Sequence, residues 1–404
     1  MKYVIAVITF LFAVSLLGQT PVHHYEYVVT DQAVYVYDID NAGALVKTDS
    51  VMGGRQPRGA AASAVTGKLY IAFGGDGQWN GNGGQLALDL ATDTVTWTKS
   101  YSHGIDSQAI TPDGTQIFMP DGELSTDSTW YVEDAATGND VGTISAGSHG
   151  PHNTIVNNSG TRVYMGQRDY ALAFGSAGTN DFAIADSKTL QVLQHVTPTR
   201  AGVRPFVINS AETLVYFADT SLLGFQVGSL ATGNVLYTVT LSGVGIPGFT
   251  TSYTVTCPSH GIALSNDDKT LYVIDQPNSY VHVFDVSNVP ASAPVQIGLF
   301  PLPDKINGTQ QQCAYDCEED SWLNLSRDNK YLFVGDTQDV INTATGQVAM
   351  KMSEIANTRI FIEVDFQGSV PIWAMGSRFS YGGSSGQTTM TGMPPVPPTN
   401  LRAQ

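Results

Sequence analysis

"SHGIDSQAITPDGTQIFMPDGE", Ser102 to Glu123, decides the fold. It holds a strand-like run, a Pro-Asp-Gly turn, and a second alternating run that ends at Asp121. The same order returns in "SHGIALSNDDKTLYVIDQ", Ser259 to Gln276, and a third Ser-His-Gly opens "SHGPHNTIVNNSGTRVYMGQ" at Ser148. Either the histidines form a site, or they punctuate a repeat.

The repeat is found by following the aromatic of each "LYV"-type run: Tyr70, Phe118, Tyr164, Tyr216, Tyr272 and Phe333. A turn precedes each one: "VTGK", "PDGT", "NSGT", "SAET", "NDDK" and "RDNK". These are hairpin signals, and a further alternating run follows each unit, as in "VHVFDVSN". Each unit therefore reads as four strands. Successive aromatics stand 46 to 61 residues apart, the period of a β-propeller blade. Six units fit between about Pro57 and Met352. A seventh is assembled from both ends of the chain: "HYEYVV" and "AVYVYDID" with "NTRIFIEVDFQGS". The expected architecture is an all-β, seven-bladed propeller with one blade closed by strands from both termini, which leaves no open sheet edge.

"TPDGTQIFMPD" and "SNDDKTLYVID" resemble the "spDGk" and "lYVtN" elements of the YVTN-repeat family, which is quinoprotein amine dehydrogenase-like in fold. The resemblance covers roughly residues 22 to 377. It implies the propeller and says little about chemistry, because such propellers host binding modules and several kinds of enzyme.

Composition agrees with this architecture. Gly is abundant (41 residues) and charged residues make up only 14% of the chain, a mix that favours strands and turns over helices. The net charge of −17 argues against nucleic acid, which demands a basic surface. "MKYVIAVITFLFAVSLLGQT" reads as a secretory signal peptide over residues 1–20, its apolar run too short for a membrane span. The propeller domain is expected over 21–378, and 379–404, rich in Gly, Ser and Pro, reads as a linker or disordered tail. The protein is expected to be secreted or periplasmic, monomeric and without a membrane span. Export permits disulfides among Cys257, Cys313 and Cys317. Cys313 with Cys317 and Cys257 with Cys313 are both plausible pairs, and one thiol is left over.

The repeat is also a ruler. Twelve residues before each aromatic stand Arg58, Asp106, His152, Arg204, His260 and Ser321. Equivalent positions ring the central axis, where each innermost strand begins. Arg359 of "NTRIF" is the candidate from the seventh blade. Three residues after the aromatics stand Phe73, Asp121, Gln167, Asp219, Asp275 and Asp336. These end the returning strands at the same mouth, where aspartates also serve as turn formers. The ruler splits the Ser-His-Gly copies: His260 lies on the ring, whereas His103 and His149 lie three residues before it. Asp121 and Glu123 mark the return of the opening stretch to that mouth. His23, His24, His195 and His282 fall off the ring.

Two classes of function follow. In the first, Arg58, Arg204 and Arg359, with Asp106 and His149, bind an anionic small molecule or sugar, and His103, His152 and His260 act as general bases or acids. This set suits a lyase that removes a proton beside the carboxylate of a uronic acid, by fold-level analogy with propeller polysaccharide lyases. In the second, the propeller binds or scaffolds without chemistry. A divalent metal held by histidines from several blades is a further expectation, since ligands gathered one per blade leave no local motif.

Overall fold

The computed structural model describes residues 20–75, 82–147, 149–168, 182–198, 202–253, 257–311, 313 and 317–378. The leader and tail readings, and the centre of the Gly-rich segment Phe73 to Gly84, fall outside these residues. Six antiparallel sheets of four strands and one of five form seven blades. Blade one is typical: Pro57–Ser63, Lys68–Gly74, Gly83–Asp89 and Val95–Ser100, each hydrogen-bonded to the next. Blades two to six follow over 109–145, 151–196, 206–240, 262–301 and 322–351.

Burial falls from the axis outward. Innermost strands such as Pro151–Val156 are wholly buried, whereas outermost strands such as Val235–Thr240 present alternate residues to water. The apolar cores lie between blades. Tyr216 and Phe225 of blade four pack with Ile262, Leu271 and Phe284 of blade five, and Phe225 meets Phe284 edge to face at 5.0 Å between ring centroids. Burying each such ring contributes about 1.5–3 kcal/mol.

The turn before each aromatic explains why the repeat was readable. In "TPDGT", Asp113 accepts from the backbone N–H and hydroxyl of Thr115, and Gly114 takes φ +71°. "SNDDK" and "SRDNK" repeat the device with Asp267 and Asp328 as acceptors and with Asp268 and Asn329 at positive φ. Only this left-handed residue lets so tight a turn close. A β-carbon on Gly114 would also stand 2.8 Å from Thr66 Cγ2. Gly114→Val is expected to destabilise the protein by about 1–2 kcal/mol, read as a lowered denaturation midpoint; an unchanged midpoint would count against this account of the turn.

The seventh blade joins the chain ends. Val22–Val29 pairs with Phe361–Gln367, so that His24 faces Asp365 and Glu26 faces Glu363, and Val34–Asp38 and Ala44–Asp49 complete it outward. Phe361–Gln367 thus takes the place that the innermost strand holds in the other blades. The repeat pattern predicts one C-terminal strand, and the structure adds a second. After Gly368 the chain doubles back as Val370–Ala374, inside the ring. Met375 and Gly376 carbonyls then accept from Ala62 and Ile110 on the inner strands of blades one and two. The chain end therefore runs through the central channel and delivers Arg378 to the mouth.

Among the described residues no helix is long and apolar enough to cross a membrane. Cys313 and Cys317 form a disulfide with 5.7 Å between their Cα atoms. This resolves the choice between the two pairings. Cys257 is a buried thiol whose pKa burial pushes up to about 12.

Candidate functional site

All the ring positions but Ser321, whose carbonyl holds His260 from behind, meet at one axial pocket. Arg58, Asp106, His152, Arg204, His260 and Arg359 all line it, together with Asp31, Glu123 and Arg378. Local backbone irregularities aim two of them. The ladder of blade one shifts register between Pro57 and Gly59, and that of blade three between Pro151 and Asn153. Arg58 and His152 are the residues released by these bulges, which turn side chains out of the sheet. Gly59 allows the inner strands of blades one and two to close up, since a β-carbon there would lie 2.7 Å from Ser107 Cα.

Two acid–imidazole pairs face each other across the pocket. His152 Nδ1 lies 3.0 Å from Asp106 Oδ2, and its Nε2 lies 3.5 Å from Glu123 Oε2. His260 Nδ1 lies 3.1 Å from the Ser321 carbonyl and 3.3 Å from Asp320 Oδ1. The two rings are 6.3 Å apart between centroids and nearly parallel. A carbonyl only accepts, so His260 carries its proton on Nδ1 and keeps a lone pair on Nε2. That Nε2 is buried and has no hydrogen-bond partner. Burial lowers the His260 pKa below its usual 6.5, against the opposing pull of Asp320. His260 is therefore a neutral imidazole at neutral pH.

Guanidiniums and carboxylates alternate around these rings. Glu123 is the hub: Arg204 Nη1 donates to it at 2.7 Å, with Arg168 at 3.2 Å and Arg58 at 3.5 Å. Arg58 also reaches Asp106 at 3.2 Å. Burial alone would raise both acids. For Glu123 the arginines reverse this and hold the carboxyl well below its ordinary range; for Asp106, His152 and Arg58 do so. Opposite, Arg359 reaches Asp320 at 2.5 Å and Asp336 at 3.8 Å. Asp336 is nevertheless pushed up to about 6 by burial. Arg378 lies 3.8 Å over the Trp322 ring, whose Nε1 donates to its carbonyl. Burial brings the Arg378 guanidinium down to about 9; Asp106 opposes this, and Arg359 and Arg58 add to it.

His103 and His149 do not line the pocket. His103 sits 2.8 Å from Asp121 and stacks on Tyr131 with ring centroids 4.2 Å apart. Burial lowers its pKa, but Asp121 and the Gly104 carbonyl raise it more. His149 Nδ1 lies 2.5 Å from the Thr126 carbonyl. Two of the four aspartates that end the returning strands form turns, Asp219 accepting from Ser221 N and Asp275 from Asn278 N, whereas Asp121 meets His103 and Asp336 accepts from Ser321 N. Sequence reasoning missed Asp31, Arg168, Asp320 and Arg378. Asp320 and Arg168 each lie one residue beyond a position counted by the ruler, so a window one residue wider finds them. No repeat signal marks Arg378, because it follows the last blade.

Asp106, Glu123 and His152 offer three donor atoms within 4.8 Å of one another. As a divalent-metal site they fit poorly. Three guanidiniums already neutralise Glu123, and an added cation would be repelled by all of them.

No known protein-family profile matches the chain, and no curated protein matches it at a significant level. What fold and site define is a seven-bladed β-propeller with an arginine- and histidine-lined axial pocket.

Proposed function

We propose that the protein is an exported propeller of the YVTN-repeat kind that takes the anionic group of a small molecule or sugar into its axial pocket. The observation that carries this reading is the buried, partnerless Nε2 of neutral His260, placed among Arg58, Arg204, Arg359 and Arg378. The cavity is about 30 Å³, room for a water-sized group. A carboxylate tip enters it, and the remainder of a sugar rests across the mouth, with His103 and His149 at the rim. Guanidiniums bind such a tip bidentately.

The chemistry that suits this set is β-elimination from a uronic acid. The guanidiniums bind the carboxylate and acidify the adjacent C–H. His260 Nε2 takes that proton, the electron pair forms the C=C bond, and the C–O bond to the leaving sugar breaks. The leaving oxygen receives a proton from His152. Asp320 and Asp106 hold the two imidazoles by Nδ1. The test is a panel of uronate-containing polysaccharides, followed by the ultraviolet absorbance of the unsaturated product and by calorimetric titration with galacturonate and glucuronate. Product formation supports the lyase reading. Binding without product leaves a non-catalytic anion receptor, and neither binding nor product ends both.

A further inference from the structure

A second cluster lies at the end of the ring remote from the axial mouth, where the chain ends are joined. His24 and Glu26 are two apart on Val22–Val29 and so share one face of the sheet. Their cross-strand partners are Asp365 and Glu363. His24 Nδ1 lies 2.7 Å from Asp365 Oδ1 and 3.8 Å from Glu363 Oε1. Ligating atoms of these three residues all lie within 4.8 Å of one another. Glu26 is 0% exposed, and neither of its carboxylate oxygens has a hydrogen-bond partner. Three carboxyl groups thus share one buried corner. The cation beside them is Arg327 from the turn of blade six, 2.5 Å from Asp365, and its backbone N–H donates to Glu363. Arg327 and His24 both engage Asp365, whereas the Glu26 carboxyl has no partner, and buried carboxyls are retained in proteins when they are paired or bind metal.

We propose that His24, Glu26, Glu363 and Asp365 bind one divalent cation at the junction of the N- and C-terminal strands. One imidazole with several carboxylates suits manganese or zinc better than calcium, which takes oxygen ligands alone. His24 is 35% exposed in its side chain and provides the way in from solvent. The ion fastens residues 341 positions apart in sequence, so its binding free energy adds to closure of the ring.

The test uses the full chain, stripped with chelator and titrated calorimetrically with MnCl₂ and with ZnCl₂. The expected result is one equivalent bound at this site, with a Tm rise of about 3–5 °C at a hundredfold excess over Kd. His24→Ala and Glu363→Gln should each weaken binding at least about tenfold, while His152→Gln, in the axial cluster, should leave it unchanged. His24→Ala alters a half-exposed side chain, and Glu26→Gln provides a second variant that keeps the shape of the buried one. No binding of either ion by the wild type overturns the proposal. So does binding that His152→Gln abolishes and His24→Ala leaves intact.

Discussion

Glu123→Ala is expected to lower the unfolding free energy by about 3–5 kcal/mol, the cost of removing one partner from a buried ionic network. Glu123 holds Arg58, Arg168 and Arg204 at once and also faces His152. Its loss leaves three guanidiniums crowding a cavity with one carboxylate fewer. Glu123→Gln keeps a hydrogen-bond acceptor and should lose less. The effect has a defined pH window. The Glu123 pKa is depressed in the folded state, so its contribution is fully present above the unfolded value of about 4.5 and is lost as pH falls through the folded value. The gap between wild type and Glu123→Gln should therefore stay constant from pH 7 to about pH 5 and narrow only in stronger acid. Urea denaturation at both ends of that range measures it, and equal midpoints for wild type and Glu123→Ala at pH 7 would falsify the hub assignment.

The hub shows where sequence reasoning reached and where it stopped. The turns were legible because each repeats one local device, an Asx- or Ser-type acceptor followed by a left-handed residue. The ring was legible because equivalent strands start at equivalent heights. Counting twelve residues back from each aromatic therefore picks out Arg58, Asp106, His152, Arg204 and His260. The partners were less so. Asp320 and Arg168 stand one residue off the counted positions, since what joins them to the pocket is side-chain reach across the axis, which has no period. Arg378 carries no repeat signal: it follows a strand that doubles back inside the ring, and only the topology of Val370–Ala374 brings it there. His24 lacked a role for a related reason. Its partner Asp365 comes from the opposite end of the chain, and although the pattern joins these segments in one blade, it does not fix the register that sets His24 opposite Asp365. Conversely, the Ser-His-Gly tripeptide overstated its meaning. His103 and His149 share it with His260 but stay outside the pocket lining.

His260→Ala should reduce turnover on a uronate substrate by about 10²–10⁴-fold, the usual contribution of a positioned general base. The prediction rests on which nitrogen is available. The Ser321 carbonyl and Asp320 both engage Nδ1, so Nε2 presents the lone pair, and nothing in the wall competes for it. Substrate affinity should change little, because the arginines that bind the carboxylate remain. The loss should fall on kcat rather than KM. The pH profile supplies an independent reading. Burial lowers the His260 pKa below 6.5, so the base is already deprotonated at neutral pH. Activity should be flat from pH 7 downward until the His260 pKa is reached, and then fall as the imidazole takes up a proton. Asp320→Asn should shift that acid limb to lower pH, since Asp320 is the group that holds the pKa up against burial. His103→Ala should cost less than tenfold, as its ring stacks on Tyr131 and does not line the pocket. If His260→Ala turns over like the wild type while Arg204→Ala and Arg359→Ala still abolish binding, His260 is not the base and its imidazole is part of the pocket wall. The lone pair on Nε2 would then accept a hydrogen bond from a ligand hydroxyl rather than a proton from carbon.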